Sequence, residues 1–272
     1  MATSSPRRRI IGLSTKMYFT AARTKDFTTQ VISLLSQLSP SLVETLDIFL
    51  IPDFLTLADV SSQLSGTSSD AGTNTTSGSG VKIWAGAQDT HWEDSGAFTG
   101  EVSPVVLASL GVRIVEVGHA ERRRLFHEDD EITALKAAAT ARNGMIPLVC
   151  IGEKMKPEAA NIHAAVQECR VQVEPVVQAV GDDAEIVLAY EPVWAIGASE
   201  PAGEEHVLRV VEGIRTLECV QKRRGMTRVV YGGSAGPGLF AKLSGGLDGL
   251  FLGRFGHDPE RFVKTVQEVA EA

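Results

Sequence analysis

Apolar residues in this chain gather in short unbroken runs separated by amphipathic or polar stretches. Eight runs stand out, at 9–13, 46–51, 82–87, 113–117, 146–151, 185–189, 228–231 and 249–252. Each is rich in Val, Ile and Leu. Continuous rather than alternating apolarity means that both strand faces are buried, as in a parallel sheet covered by helices. The stretches between the runs read as helices. Residues 129–142 place Ile132, Leu135 and Ala139 on one face, and residues 204–220 place Val207, Val210, Val211, Ile214 and Leu217 on another. Strand–helix alternation repeated about eight times in roughly 250 residues is the arithmetic of a closed α/β barrel, (β/α)8. A doubly wound open sheet has the same periodicity, and the pattern alone does not separate the two.

Residues 1–8 read as an N-terminal tail. Residues 61–80, SSQLSGTSSDAGTNTTSGSG, are Ser/Thr/Gly-rich and read as a flexible surface insertion ahead of the third strand. No repeat or second-domain boundary is visible, so residues 1–272 read as a single domain. Composition then removes several function classes. The chain is 43% hydrophobic and its formal charge is −8, which offers no general attraction to nucleic acid or anionic membranes. Three scattered cysteines, Cys150, Cys169 and Cys219, with no C-x-x-C, argue against a disulfide framework or a thiolate zinc site. No apolar run approaches the roughly 20 residues that span a bilayer. Arg7-Arg8-Arg9 leads straight into Ile10-Ile11-Gly12, too short a run for a secretory signal. The expectation is a cytoplasmic protein with neither nucleic-acid nor membrane partners.

In a parallel α/β sheet, functional side chains gather at the carboxyl ends of the strands. Here those ends carry Ser14-Thr15-Lys16, Gly118-His119, Tyr190-Glu191, Gly232-Gly233-Ser234 and Gly253-Arg254. One base, one imidazole, one lysine and two glycine-bearing anion loops share a rim. Each has a plainer reading alone: a structural histidine, a loop carboxylate before Pro192, a solvated lysine, tight βα turns. Their joint placement is what points to catalysis. The charged residues of 121–124 and 128–131 read as an exposed helix face with i,i+4 pairs. A rival reading takes Gly232-Gly233-Ser234-Ala235-Gly236 as the nucleophile elbow of a serine hydrolase, with His257 and Asp248 or Asp258 downstream. Only residues 235–272 follow, too few for the rest of that fold. A third reading is an inactive barrel kept for binding, against which the retained Lys16, His119 and Glu191 speak.

Longer blocks surround these residues. They are Gly86-Ala87-Gln88, Gly96-Ala97-Phe98-Thr99-Gly100-Glu101, Gly118-His119-Ala120-Glu121-Arg122-Arg123 and Cys150-Ile151-Gly152-Glu153. Ala189-Tyr190-Glu191-Pro192-Val193-Trp194-Ala195-Ile196-Gly197 and Tyr231-Gly232-Gly233-Ser234 follow. In this order the sequence resembles the triosephosphate isomerase family along nearly its whole length, outside the tail and 61–80. The resemblance implies a TIM barrel that isomerises a small sugar phosphate through an enediolate, with no metal or organic cofactor. In this family the base is a glutamate and the electrophile a neutral imidazole, roles that fall on Glu191 and His119. A helix starting at Ala120-Glu121 would keep that imidazole neutral. Lys16 becomes a fixed cation beside the substrate, and Glu121 pairs with Lys16 or another cation and orients the site. The phosphate falls to the backbone N–H groups of Gly197, Ser234, Gly253 and Arg254. A lid spans 192–202, with Trp194 and Ile196 as its apolar underside. Thr99 reaches into a neighbouring subunit's pocket, which implies a homodimer.

Several positions depart from the family pattern. The usual Asn-x-Lys is Ser14-Thr15-Lys16, so Ser14 offers the ligand a hydroxyl instead of a carboxamide. The usual Gly-His-Ser-Glu has Ala120, the usual Gly-Gly is Gly253-Arg254, and the lid ends in Glu200-Pro201-Ala202. Ala120 does not discriminate, but Ser14-Thr15-Lys16, the Pro201-Ala202 lid end and Leu252-Gly253-Arg254, with His91-Trp92-Glu93-Asp94, resemble a paralogous branch that isomerises four-carbon ketose phosphates such as erythrulose phosphates. The density of core motifs makes glyceraldehyde 3-phosphate and dihydroxyacetone phosphate, a step of glycolysis and gluconeogenesis, the leading expectation. Tetrulose phosphate is the alternative, since one hydroxymethyl group changes discrimination by only about 1–3 kcal/mol.

Overall fold

Eight parallel strands, β1 (Arg9–Ser14), β2 (Leu46–Ile51), β3 (Ile83–Ala87), β4 (Ile114–Val117), β5 (Ile146–Ile151), β6 (Ile186–Tyr190), β7 (Thr227–Tyr231) and β8 (Gly249–Leu252), pair in sequence order. Ile10 of β1 lies opposite Asp47 of β2 on one side and Gly249 of β8 on the other, which closes the barrel and excludes the open sheet. This computed structural model describes residues 8–66, 81–157, 161–198 and 200–272. All eight predicted runs are strands, with ends displaced by at most one residue. The reason is visible in the packing. Ile10, Phe49, Ile114, Leu148, Val187, Val230 and Phe251 fill the interior. Their neighbours Ile11, Leu13, Ile48, Leu50, Val115 and Val229 pack outward against the helices. Burial on both sides favours apolar residues at successive positions, with Asp47, Glu116 and Arg228 as charged exceptions.

At the amino ends of the strands the interior is stoppered by Arg228. Its side chain is fully buried, pairs with Asp47 at 2.6 Å and with Glu185, and lies 6.0 Å from the Trp84 ring.

The helices follow the pattern with four corrections. Glu204–Arg215 buries Val207, Val210, Val211 and Ile214 as expected. It stops at Thr216, and a separate turn, Glu218–Gln221, follows with Leu217 as its N-cap, so 204–220 is two helices. Asp130–Arg142 starts after Asp129, whose carboxylate accepts from the Ile132 N–H at 2.9 Å. Its buried residues are Thr133, Ala134, Lys136, Ala137, Ala139 and Thr140, so Ala139 is buried as expected while Leu135 is 42% exposed. The buried Lys136 ammonium bridges Asp89 at 2.7 Å and Glu128 at 2.6 Å, and this pairing turns that face inward. Arg122 joins Asp89 and Glu128, and Arg123 pairs with Asp130. Arg122, Arg123, Glu128 and Asp130 are therefore partly or fully buried ion-pair partners rather than an exposed face, while Arg124, Asp129 and Glu131 are exposed as expected. Finally, helix Leu57–Ser65 runs into the segment read as an insertion, because Ser61 and Leu64 are buried. The rest of that segment, 67–80, and residues 1–7 of the tail lie outside the described residues, while Arg8 pairs with Asp47. Among the described residues no helix is long and apolar enough to cross a membrane.

Candidate active site

The strand ends bring Lys16, His119 and Glu191 to one mouth of the barrel, around a cavity of about 720 Å³. Glu191 follows β6, and its backbone N–H donates to the Ile151 carbonyl at 2.7 Å. Its side chain is buried, and glycine at 232 makes the space: a Cβ there would lie 2.2 Å from Glu191 Oε1. Burial pushes the Glu191 carboxyl up to about 7, with Lys16 opposing the shift and Glu121 adding to it. A base poised there can both take a proton and give it back.

His119 Nε2 lies 3.4 Å from Glu191 Oε2. The histidine is the N-cap of helix Ala120–Phe126, and its Nδ1 accepts from the Glu121 N–H at 3.1 Å. An accepting Nδ1 leaves the ring hydrogen on Nε2, facing the glutamate. Burial and then the Lys16 charge pull the His119 pKa down to about 4, so the imidazole is neutral. Lys16 has φ 48°, a left-handed backbone uncommon for a residue with a side chain. Three contacts hold it there. Its N–H reaches Ser14 Oγ at 3.4 Å, its carbonyl accepts from Gln88 Nε2 at 2.9 Å, and its ammonium donates to Glu121 Oε1 at 2.9 Å. Burial opposes the Lys16 charge, but Glu121, Glu191 and Glu116 outweigh it and raise the pKa.

Gly233 and Ser234 after β7, and Gly253 and Arg254 after β8, line the opposite wall of the cavity. The Ser234 hydroxyl donates to Ala198 O at 2.6 Å, and the Arg254 guanidinium reaches Gly197 O at 3.4 Å. Both hold the tip of segment 192–202. At its root Trp194 Nε1 donates to Glu153 Oε1 at 2.8 Å, and at its far end the Ala202 N–H donates to Tyr231 Oη at 3.0 Å. Ile196 faces the cavity, whereas the Trp194 ring packs against His206 at 5.7 Å, so of the two expected apolar contacts only Ile196 lines the pocket. The nucleophile-elbow reading fails on the same contacts. His257 Nε2 is bonded to Ser14 O at 3.0 Å, Asp248 pairs with Arg215 at 2.7 Å, and Asp258 caps helix Pro259–Glu271. Each prospective triad partner is committed elsewhere.

The family model described as triosephosphate isomerase matches residues 9–269. The chain belongs to the triosephosphate isomerase family. It is 39% identical to the L-erythrulose-1-phosphate isomerase of Pectobacterium atrosepticum, over 97% of this chain and 96% of that protein. The protein of that name from Brucella abortus is 38% identical over 96% of each chain. The triosephosphate isomerase of Aquifex aeolicus is 35% identical over 95% of this chain and 98% of that one. Family and relatives together make the chain a sugar-phosphate isomerase.

Motif reading misses two parts of this isomerase's site. Glu153 is a hub at the root of segment 192–202, accepting from Trp194 Nε1, from the Tyr190 hydroxyl at 3.0 Å and bonded to His206 Nε2 at 2.9 Å. Glu116, in β4, is buried below the mouth. Its signal was a lone acid inside a run whose continuity demands burial on both faces. Thr99 is not brought to its own cavity; it lies in the exposed loop 95–100, whose root is a stack of His91 on Trp92 and Phe98.

Proposed function

We propose that this isomerase acts on a four-carbon ketose phosphate, L-erythrulose 1-phosphate, by moving a proton between adjacent carbons. The observation that carries the chemistry is the 3.4 Å approach of a neutral His119 Nε2 to a buried Glu191 Oε2, with Lys16 beside them. The choice of four carbons is supported by relatives of that name at 39% and 38% identity, and it replaces the expected triose phosphate. L-Erythrulose 1-phosphate is dihydroxyacetone phosphate with one more hydroxymethyl group on the carbinol carbon, so the same apparatus serves both. Glu191 removes the C3 proton, and the electron pair forms the C2–C3 double bond of an enediolate. The charge on O2 is met by the His119 N–H and the Lys16 ammonium. His119 passes a proton between O2 and O3, Glu191 returns its proton to C2, and the carbonyl ends on C3. Backbone N–H groups of Gly197, Ser234, Gly253 and Arg254 hold the phosphate, and Ser14 bonds a sugar oxygen. The cavity of about 720 Å³ has the volume for the additional hydroxymethyl group.

The test compares kcat/KM for L-erythrulose 1-phosphate and dihydroxyacetone phosphate on one preparation. The four-carbon substrate is expected to lead by about tenfold or more; a lead for the triose phosphate overturns the assignment. We also infer a homodimer, in which Thr99 completes the partner's cavity. The support is a sector of the rim, after β1, β2 and β3, that exposes Met17, Leu55 and Phe98. Sedimentation equilibrium giving a monomer mass at micromolar concentration would overturn that inference.

A further inference from the structure

Segment 192–202 meets the cavity at its tip, and both of its ends return to one buried carboxylate. Glu153 follows β5 and is 1% exposed. At the root of the segment its backbone carbonyl accepts from the Val193 N–H at 3.0 Å, and its Oε1 accepts from the Trp194 indole at 2.8 Å. The far end runs through Ala202 into helix Glu204–Arg215, with Gly203 as the N-cap. His206, in the first turn of that helix, brings Nε2 to 2.9 Å from the same Oε1. The Trp194 and His206 rings meet edge to face at 5.7 Å, so the two ends also pack on each other. Tyr190, at the end of β6, completes the group, with its hydroxyl 3.0 Å from Glu153 Oε2 and 3.0 Å from His206 Nε2. Among the described residues His206 is the ion-pair partner of Glu153. Lys156 lies instead over the Trp194 ring at 5.2 Å, and Lys154 gives its backbone N–H to Glu168.

The hydrogens of this group can be placed one by one. Burial opposes the Glu153 charge, but hydrogen bonds, from His206 and Trp194 above all, outweigh it and hold the carboxyl below its ordinary value. An ionised carboxylate has only lone pairs to offer. A bare ring nitrogen 2.9 Å from it would set lone pair against lone pair in a dry interior. Nε2 of His206 therefore carries a hydrogen, whether or not Nδ1 is protonated as well. The Tyr190 hydrogen then goes to Oε2, and its oxygen shares the Nε2–H with Glu153. A donor lost from either end leaves the buried carboxylate short of a partner and unties the root of the segment from its far end.

We propose that His206 is a positioning residue of this isomerase: its Nε2–H, donated to Glu153, ties the far end of segment 192–202 to its root and holds the segment in the shape that presents the Gly197 N–H to the phosphate. The proposal rests on the isomerase reading above, in which Gly197 binds phosphate. Its test uses the full chain and the variants His206→Gln, His206→Leu, Trp194→Phe and the Leu/Phe double, with L-erythrulose 1-phosphate for rates and inorganic phosphate for binding. His206→Leu should raise KM and the phosphate Kd about three- to tenfold, the worth of one hydrogen bond, and leave kcat within about threefold because Glu191, His119 and Lys16 are untouched. Trp194→Phe keeps a ring, loses the indole N–H and should do the same. One tie has two ends, so the double variant should lose no more than either single one. His206→Gln offers an amide N–H in place of the imidazole and should recover most of the loss. Unchanged KM and Kd in His206→Leu, or losses that add in the double variant, overturn the proposal. The ring itself is read without turnover, from the nitrogen-15 resonances that His206→Gln removes. A hydrogen on Nε2 is expected, and a neutral ring with its hydrogen on Nδ1 overturns the proposal. Should His206→Leu not fold, that tautomer decides together with Trp194→Phe, whose unchanged KM and Kd would equally overturn it. A parent that turns over neither ketose phosphate overturns the substrate reading instead, and the ring tautomer and phosphate Kd still read the tie.

Discussion

Gly232→Ala asks where the Glu191 carboxylate has to be. The added methyl carbon would stand 2.2 Å from Oε1, 2.4 Å from Cγ and 2.6 Å from Cδ of Glu191. Ordinary contact begins near 3.4 Å, so the carboxylate must retreat by about 1 Å. Residue 232 has no left-handed φ, so alanine adds no backbone strain there. Oε2 is already 3.4 Å from His119 Nε2, and a retreat of that size takes the base out of line with the carbons it serves. Misplacing a reacting group by about 1 Å costs on the order of 100-fold in rate, or about 3 kcal/mol of barrier. The phosphate-binding amides are untouched, so KM should stay within about threefold. Steady-state rates with L-erythrulose 1-phosphate separate kcat from KM, and thermal unfolding controls for the fold. A normally folded Gly232→Ala protein with kcat within about threefold of the parent would refute the placement of the base.

Three further outcomes follow from the same geometry. In the parent, kcat/KM should rise with pH through about 7 as Glu191 ionises, with no contribution from His119 until about 4; a limb at the ordinary glutamate value of 4.5 would contradict the burial argument. Because the folded-state pKa of Glu191 is raised, the stability it lends in its protonated form is complete below 4.5 and lost as pH rises through about 7. Glu191→Gln should therefore unfold at a higher temperature than the parent at pH above 7, by about 3 kcal/mol of stability, and match it near pH 4, while losing kcat by several orders of magnitude; equal melting temperatures at both pH values would count against it. Arg254→Ala frees the tip of segment 192–202 at Gly197 and should raise KM about three- to tenfold with a smaller change in kcat; an unchanged KM would mean that the guanidinium neither holds the tip nor meets the phosphate.

The barrel was legible because each strand is buried on both faces, and that condition writes itself as an unbroken apolar run. The rim residues were legible because strand ends are where such sheets carry chemistry. Part of what failed has one cause: charged residues were assumed to face water. Lys136 and Glu128 are buried together, which turned helix Asp130–Arg142 so that Leu135, not the lysine, is outside. Glu116 escaped notice for the same reason: it is buried inside the barrel on β4. Trp194 was read as part of a lid's underside, but its indole N–H needs a partner and finds Glu153 instead. The substrate was not legible because the dense motifs encode the proton-transfer apparatus, which three- and four-carbon ligands share. The differences lie in scattered positions such as Ser14 and Arg254.

Arg228, wedged across the amino end between Asp47 and Glu185, closes that end of the barrel and leaves the mouth with Lys16, His119 and Glu191 as the open one among the described residues. Incoming ligand and outgoing product must queue at the same opening and cannot occupy the interior in series. Segment 192–202, tethered by Ser234, Arg254 and Glu153, stands beside that mouth, and on the proposed lid reading each catalytic cycle releases those tethers once.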